Sequence, residues 1–196
     1  MKKLSFKKWL LVFVGLLVLF SAGYYFVRKT VLNSAYDSLR PTTLALQDQL
    51  NNGTSPNGAL AKTFYGDYSY SLSRDLSSEL KDKSGKASFG IVVEQTKSYI
   101  TSSGKLNGLV PVPPVGFLDA TKANGSGSMV WQPAKDTRVV VQALMYHYGD
   151  ITGYVITGQS AKPYEQKLLI YKLVALVVLV GVAVWTYRAF VRTPKK

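Results

Sequence analysis

Residues 137–157, TRVVVQALMYHYGDITGYVIT, read as two extended segments joined by a turn, and this hairpin sets the fold class. In the first segment Val139, Val141, Ala143 and Met145 alternate with Arg138, Val140, Gln142, Leu144 and Tyr146, the period-2 pattern of a strand. His147-Tyr148-Gly149-Asp150 forms a four-residue turn suited to a hairpin, and residues 151–157 return as the second strand. Apolar residues stand on both faces. Helices or a ligand are therefore expected to cover part of each.

Working outward, residues 128–131 (SMVW) give a third strand, and residues 87–94 (ASFGIVVE) and 98–103 (SYITSS) give two more around a short turn. Between these sets Pro113-Pro114 opens a short helical run through Phe117, Leu118 and Thr121 that stops at Asn124-Gly125. Leu72, Leu76 and Leu80, spaced i, i+4, i+8 behind a Ser71 cap, predict a helix ending at Gly85, and residues 51–58 (NNGTSPNG) form a turn cluster before it. Earlier still, Val31, Leu32, Ala35, Tyr36 and Leu39 recur at helical spacing, and Leu46 and Leu50 resume it. That spacing predicts a long helix bent or restarted at Pro41, with Thr42 or Thr43 capping the new start. From Ala161 the pattern turns helical again. The order of elements predicts an α+β domain with a five-stranded antiparallel sheet and flanking helices.

The domain is framed by two apolar runs. Residues 9–27 (WLLVFVGLLVLFSAGYYFV) carry no charge, and residues 168–187 (LLIYKLVALVVLVGVAVWTY) carry only Lys172, near the first turn. Each is long enough to cross a hydrocarbon core of about 30 Å. Lys172 reads as a side chain that snorkels to the headgroups, with an intramembrane ion or proton site as the other reading. Of 196 residues, 24 are Lys or Arg and 11 are Asp or Glu, a net charge of +13. Every acidic residue lies between the two runs, whereas Lys2, Lys3, Lys7 and Lys8 precede the first and Arg188, Arg192, Lys195 and Lys196 follow the second. The positive-inside rule then puts both termini in the cytoplasm and the middle outside a plasma (inner) membrane, with Tyr24, Tyr25, Trp185 and Tyr187 at the interfaces. The expected layout is a cytoplasmic N-terminus (1–8), a first span (9–27), an extracytoplasmic domain (28–167), a second span (168–187) and a cytoplasmic tail (188–196). A second reading of the N-terminus is a cleaved signal peptide, with Ser21-Ala22-Gly23 at the cleavage site. The charge excess is mostly a topology signal, and no nucleic-acid partner is expected.

The stretch Tyr99-Ile100-Thr101-Ser102-Ser103-Gly104 before Leu106-Asn107-Gly108, Val130-Trp131-Gln132-Pro133 before Arg138, and Gly153-Tyr154-Val155-Ile156-Thr157-Gly158 before the exit helix carry a resemblance. They resemble the strand and turn signatures of extracytoplasmic PAS-like or Cache-type sensor domains of bacterial two-span receptors, the histidine kinases and chemoreceptors. The resemblance implies a sensor-like domain that detects a small ligand or envelope signal. In such receptors an output module follows the second span, whereas here residues 188–196 follow it. A signal is then expected to pass to a partner in trans. The alternative is a structural or assembly subunit that binds an envelope or membrane protein, or a second copy as a homodimer, through its external domain.

Chemistry-bearing residues are sparse. There is no Cys and one His, His147, so disulfides and cysteine-held metal sites are excluded. Asp67, Asp75, Glu79, Asp82, Asp119, Asp136 and Asp150 lack calcium-loop spacing. Ser78-Glu79-Leu80-Lys81 and Ser102-Ser103-Gly104-Lys105 match S-x-x-K, but no S-D-N or K-T-G accompanies them. No enzyme, cofactor or metal is therefore expected. Asn52-Gly53-Thr54 and Asn124-Gly125-Ser126 match the glycosylation sequon, or in a bacterium are Gly-rich turns. The candidate ligand site combines Arg138, Gln142 and Tyr146 on one strand face with Tyr65, Tyr68 and Tyr70 as a wall, an arrangement of aromatics and one cation suited to a small anion or amino acid. Its rival is a polar sheet surface on which Arg138 pairs with a carboxylate.

Overall fold

The computed structural model of the chain describes residues 6–67, 74–81, 88–96 and 99–190. Its contacts divide it into two units, Asn33–Tyr164 and a second formed by residues up to 32 with those from 165 on. The elements are α1 (Phe6–Asn51), α2 (Pro56–Tyr65), β1 (Ser88–Glu94), β2 (Ile100–Ser102), α3 (Val115–Asn124), β3 (Ser126–Ala134), β4 (Thr137–Tyr148), β5 (Ile151–Ser160) and α4 (Lys162–Phe190), with a 3-10 turn at Glu79–Lys81. The five strands make one antiparallel sheet in the order β2-β1-β5-β4-β3. The α+β class and the five-stranded sheet are as the sequence pattern predicts.

β5 is the hub. It pairs with β1 along Ser88–Glu94 and with β4 along its whole length, so it joins the β1–β2 pair to the β3–β4 pair within the sheet. Its buried residues alternate between two layers. Tyr154 and Ile156 join Phe89, Ile91, Val93, Val139, Val141 and Ala143 in the main core, closed by Phe117 and Leu118 of α3, by Trp131, and by Leu76, Leu80 and Leu106. On the opposite face Val155, Val92 and Tyr146 pack against Leu46, Leu50 and Leu60, and Val140 packs against Ala35 and Leu39. Both faces of the sheet are covered.

α1 runs through Pro41 without a restart. Ala35, Leu39, Thr43, Leu46 and Leu50 form its buried stripe, and both Pro41 and Asp37, whose carbonyl loses an N–H partner at the proline, are exposed. Water can take that carbonyl, which is why the proline is tolerated here. Thr43 is not a cap. Its buried hydroxyl bonds the Leu39 carbonyl and the Thr157 hydroxyl, tying the helix to the central strand.

Three local expectations are corrected. The cluster at 51–58 is not all turn: Ser55 caps α2, its hydroxyl accepting from the Gly58 N–H, and Pro56 takes the first helical position. The helix expected from Ser71 to Gly85 is absent over the described residues 74–81. There Leu76 N–H donates to the Lys105 carbonyl and Lys105 N–H to the Arg74 carbonyl, and only a 3-10 turn follows. Ser71, Leu72 and Gly85 lie outside the described residues. The last hairpin is also tighter than expected, since His147 and Tyr148 pair with Thr152 and Ile151 and leave Gly149-Asp150 as the turn. Gly149 adopts φ 56, which its missing side chain permits.

In the second unit two helical segments are long and apolar enough to cross a membrane. Trp9 Nε1 donates to Thr186 Oγ1 at 3.1 Å, and Lys172 Nζ lies 5.0 Å from the centre of the Tyr24 ring. Pairing 9 with 186 and 24 with 172 makes the two segments antiparallel. Lys172 is thereby given an aromatic face as partner, a cation–π contact.

Candidate functional site

The site begins with a row across the sheet. Glu94 of β1 stands opposite Gly153 of β5, and Gly153 stands opposite Tyr146 of β4. With strands about 4.8 Å apart, Glu94 and Tyr146 are two strands distant on the same face, separated by a residue that has no side chain. The Tyr146 ring occupies that gap: a Cβ placed on Gly153 would lie 2.5 Å from Tyr146 Cε1. The ring therefore leans across the sheet toward the Glu94 carboxylate.

Above this row lies the connection between α1 and α2. Asn52 and Thr54 N–H groups bond back to the Asp48 and Gln49 carbonyls, and the Asn51 side chain accepts from the His147 N–H at 2.9 Å, fixing the loop to β4. Asn57 of α2 accepts from Thr101 and Tyr99, fixing the other side to β2 and its approach. Gly53, at φ 83, is packed against the Tyr148 ring. These ties hold open a hollow of about 200 Å³ lined by Leu50, Gly53, Ser55, Glu94, Tyr146 and Tyr148. A wider hollow of about 560 Å³ shares Glu94 and Ile151 with it and adds Gln95, Thr96, Asp150 and Thr152.

Tyr146 is only 3 % exposed, and its hydroxyl has no hydrogen-bond partner among the described residues although it belongs to the wall of the smaller hollow. Burial pushes this phenol above its ordinary value, with the nearby Glu94 carboxylate and Tyr99 adding in the same direction. Burial and then Asp119 do the same to Tyr154 in the main core. Groups raised in this way hold their contribution below the unfolded-state value near 10 and lose it as the pH climbs through the folded value. The domain is therefore expected to lose thermal stability above roughly pH 10, and Tyr146→Phe with Tyr154→Phe should flatten that alkaline limb. An unchanged limb in the double variant would assign the loss to other groups.

The residues chosen from sequence are dispersed. Arg138 and Tyr146 do share a face of β4, but eight residues of strand put them about 27 Å apart, too far for one small ligand to touch both. The face between them is covered by α1, through Ala35 and Leu39 on Val140 and Leu46 and Leu50 on Tyr146. Gln142 lies midway, half-buried, with its Oε1 buried and without a partner among the described residues. Tyr65 is elsewhere: its hydroxyl donates to the Ser103 carbonyl, and the Arg74 guanidinium, paired with Glu79, lies 6.0 Å from its ring centre. Tyr68 and Tyr70 lie outside the described residues. Of the four that are described, Tyr146 alone lines the hollow.

Glu94 was missed as a candidate because β1 reads as an apolar strand that ends there. The available signal was alternation, which puts Gly90, Val92 and Glu94 on one face, together with a glycine at 153 in the partner strand. No protein-family model, no curated protein and no solved structure matches the chain.

Proposed function

We propose that this chain is a two-span membrane protein whose central domain lies outside the cytoplasm, detects a small ligand or envelope signal, and passes it to a partner in trans. The observation that carries the reading is the hollow over Tyr146: a buried phenol without a hydrogen-bond partner among the described residues, under a loop anchored at both ends, in a domain that opens with α1 and closes with α4. Those two helices also supply the apolar segments, so a change in the domain has two direct covalent routes into the membrane, and rigid helices transmit small shifts. The likeness to PAS-like and Cache-type sensor domains supports the same reading through its layered order of strands and helices.

The location is tested by fusing a reporter active only in the cytoplasm to each end. Signal from both fusions is expected. Signal from the C-terminal fusion alone, with a shortened mature chain, would establish the cleaved signal peptide instead. Transmission is tested with Trp9→Cys and Thr186→Cys, whose side chains meet, by timing disulfide formation in membrane vesicles with and without Ser55→Trp, which fills the hollow. A changed rate is expected, and an identical rate would remove the sensing reading.

A second reading is favoured by a different feature. Leu109, Val112 and Val115 stand exposed along the segment that leads into α3. Its prolines Pro111 and Pro113 are buried, so the ridge is held without a flexible backbone. An exposed apolar ridge of this kind suits a protein partner and would serve an assembly subunit of the envelope.

A further inference from the structure

The two apolar segments of the second unit contain one charge, Lys172. It is exposed, makes no ion pair among the described residues, and has the Tyr24 ring 5.0 Å away as its contact. A π face offsets part of the cost of a charge in a bilayer but is no counter-ion, and the ammonium keeps N–H donors to fill. Among the described residues of this unit the only acidic one is Glu165, seven positions earlier on the same helix and about 10 Å away along its axis.

Lys172 lines a hollow of about 330 Å³ along one flank of the helix pair, with Ser21 and Tyr24 beside it and Leu17, Leu176 and Leu179 beyond. Because the segments are antiparallel, the three polar side chains gather at one end and the leucines occupy the next two turns. The hollow on the other flank, about 520 Å³, shares Phe20, Tyr24 and Ala175 with it and has no charged lining residue. A cation at the end of a span with apolar lining beneath it has the polarity profile of a phospholipid. The Ser21 hydroxyl already donates to the Leu17 carbonyl, so the charge of the headgroup falls to Lys172.

We propose that this groove holds one anionic phospholipid of the outer leaflet, with its phosphate on the Lys172 ammonium, the Tyr24 ring as wall and one acyl chain along Leu17, Leu176 and Leu179. A headgroup with its own ammonium is disfavoured there, since it would bring a second cation beside Lys172. The site goes beyond the sensing reading and rests only on its membrane-spanning part.

The test uses the full chain in phosphatidylcholine nanodiscs doped with a phosphatidylglycerol or a phosphatidylcholine probe, each carrying the same photoreactive diazirine on one acyl chain. Labelled residues are located by peptide mass spectrometry. The phosphatidylglycerol probe is expected to label Leu176 and Leu179 several-fold more than Leu173 and Val177, which line neither hollow, and about tenfold more than the phosphatidylcholine probe does. Lys172→Gln should bring the two probes level, whereas Arg28→Gln, which changes a cation outside the hollow, should keep the preference. Inorganic phosphate at about 10 mM should leave the labelling unchanged. The proposal is overturned if the wild type labels equally with both probes, if Arg28→Gln loses as much preference as Lys172→Gln, or if inorganic phosphate abolishes the labelling, which would mark a site for a soluble anion. Even labelling of all four positions would overturn the site and leave the spans standing. Labelling of neither helix by either probe would overturn the membrane-spanning reading itself.

Discussion

Alanine at Gly153 is expected to destabilise the domain by about 2–3 kcal/mol and to close the hollow at the same time. The added Cβ would meet the Tyr146 ring and the Val93 carbonyl oxygen, each at 2.5 Å. A ring can rotate away; a carbonyl in the β1–β5 ladder cannot move without breaking its pairing. The cost therefore has a part that no side-chain repacking recovers. As the ring yields, it is driven from its place over Gly153 into the space beneath the α1–α2 loop. Gly116 is the matched control. It is the second residue of α3, and a Cβ there meets nothing within 4 Å, so Gly116→Ala should stabilise by about 0.4–1 kcal/mol through the unfolded chain and helix propensity. Equal effects of the two substitutions in chemical denaturation would contradict the steric role given to Gly153.

The contrast between these glycines marks how far the sequence could be read. α3 was legible because its ends are chemical: Pro114 at the entry, Asn124-Gly125 at the exit, with Gly125 at φ 74. The strands were legible as extended apolar runs rich in β-branched residues, bounded by turn residues such as Gly149-Asp150. Their ends were not, and β4 extends to Tyr148 because pairing with β5 continues past the point where the apolar pattern fades. α2 was hidden by composition. Asn57 and Gly58 sit inside its first turn, and its buried residues, Ala59, Leu60 and Ala61, are consecutive rather than spaced at helical intervals. The reverse error occurred at Leu76 and Leu80, which keep i, i+4 spacing yet reach the core from an extended bridge and a 3-10 turn, because the backbone bonds of Arg74 and Leu76 with Lys105 outweigh local preference.

The site was less legible than the fold for a physical reason. A binding hollow is made of residues that meet across strands, and strand order is not written in any single segment. Tyr146 could be picked out, but its neighbours depended on β5 lying between β1 and β4. Once that order is in place, Glu94 stands across Gly153 from Tyr146, and Arg138, though on the same face, falls at the far end of a long strand.

The largest loss is expected from Leu46→Asp. Leu46 is fully buried among Leu50, Leu60, Val92, Tyr146 and Val155, the cluster through which α1 and α2 hold the sheet. An aspartate there would bring an unpaired carboxylate into an apolar contact and remove the leucine's packing at once, a combined effect of roughly 4–5 kcal/mol or more. That is comparable to the whole stability of many domains. Leu44 lies two positions earlier on the same helix and is 44 % exposed, so Leu44→Asp should change stability by no more than about 0.5 kcal/mol. Far-ultraviolet circular dichroism is a poor readout for the pair, since apolar helices embedded in a bilayer would keep their signal while the sheet unfolds. Hydrogen exchange at the amides of Val155, Ile156 and Thr157 is the better one, because these lie in β5, bonded on both sides. Leu46→Asp should bring these amides to near-unprotected exchange and Leu44→Asp should leave them slow. Persistent protection in Leu46→Asp would mean that the sheet stands without α1, and the helix would then be no part of what holds the hollow in shape.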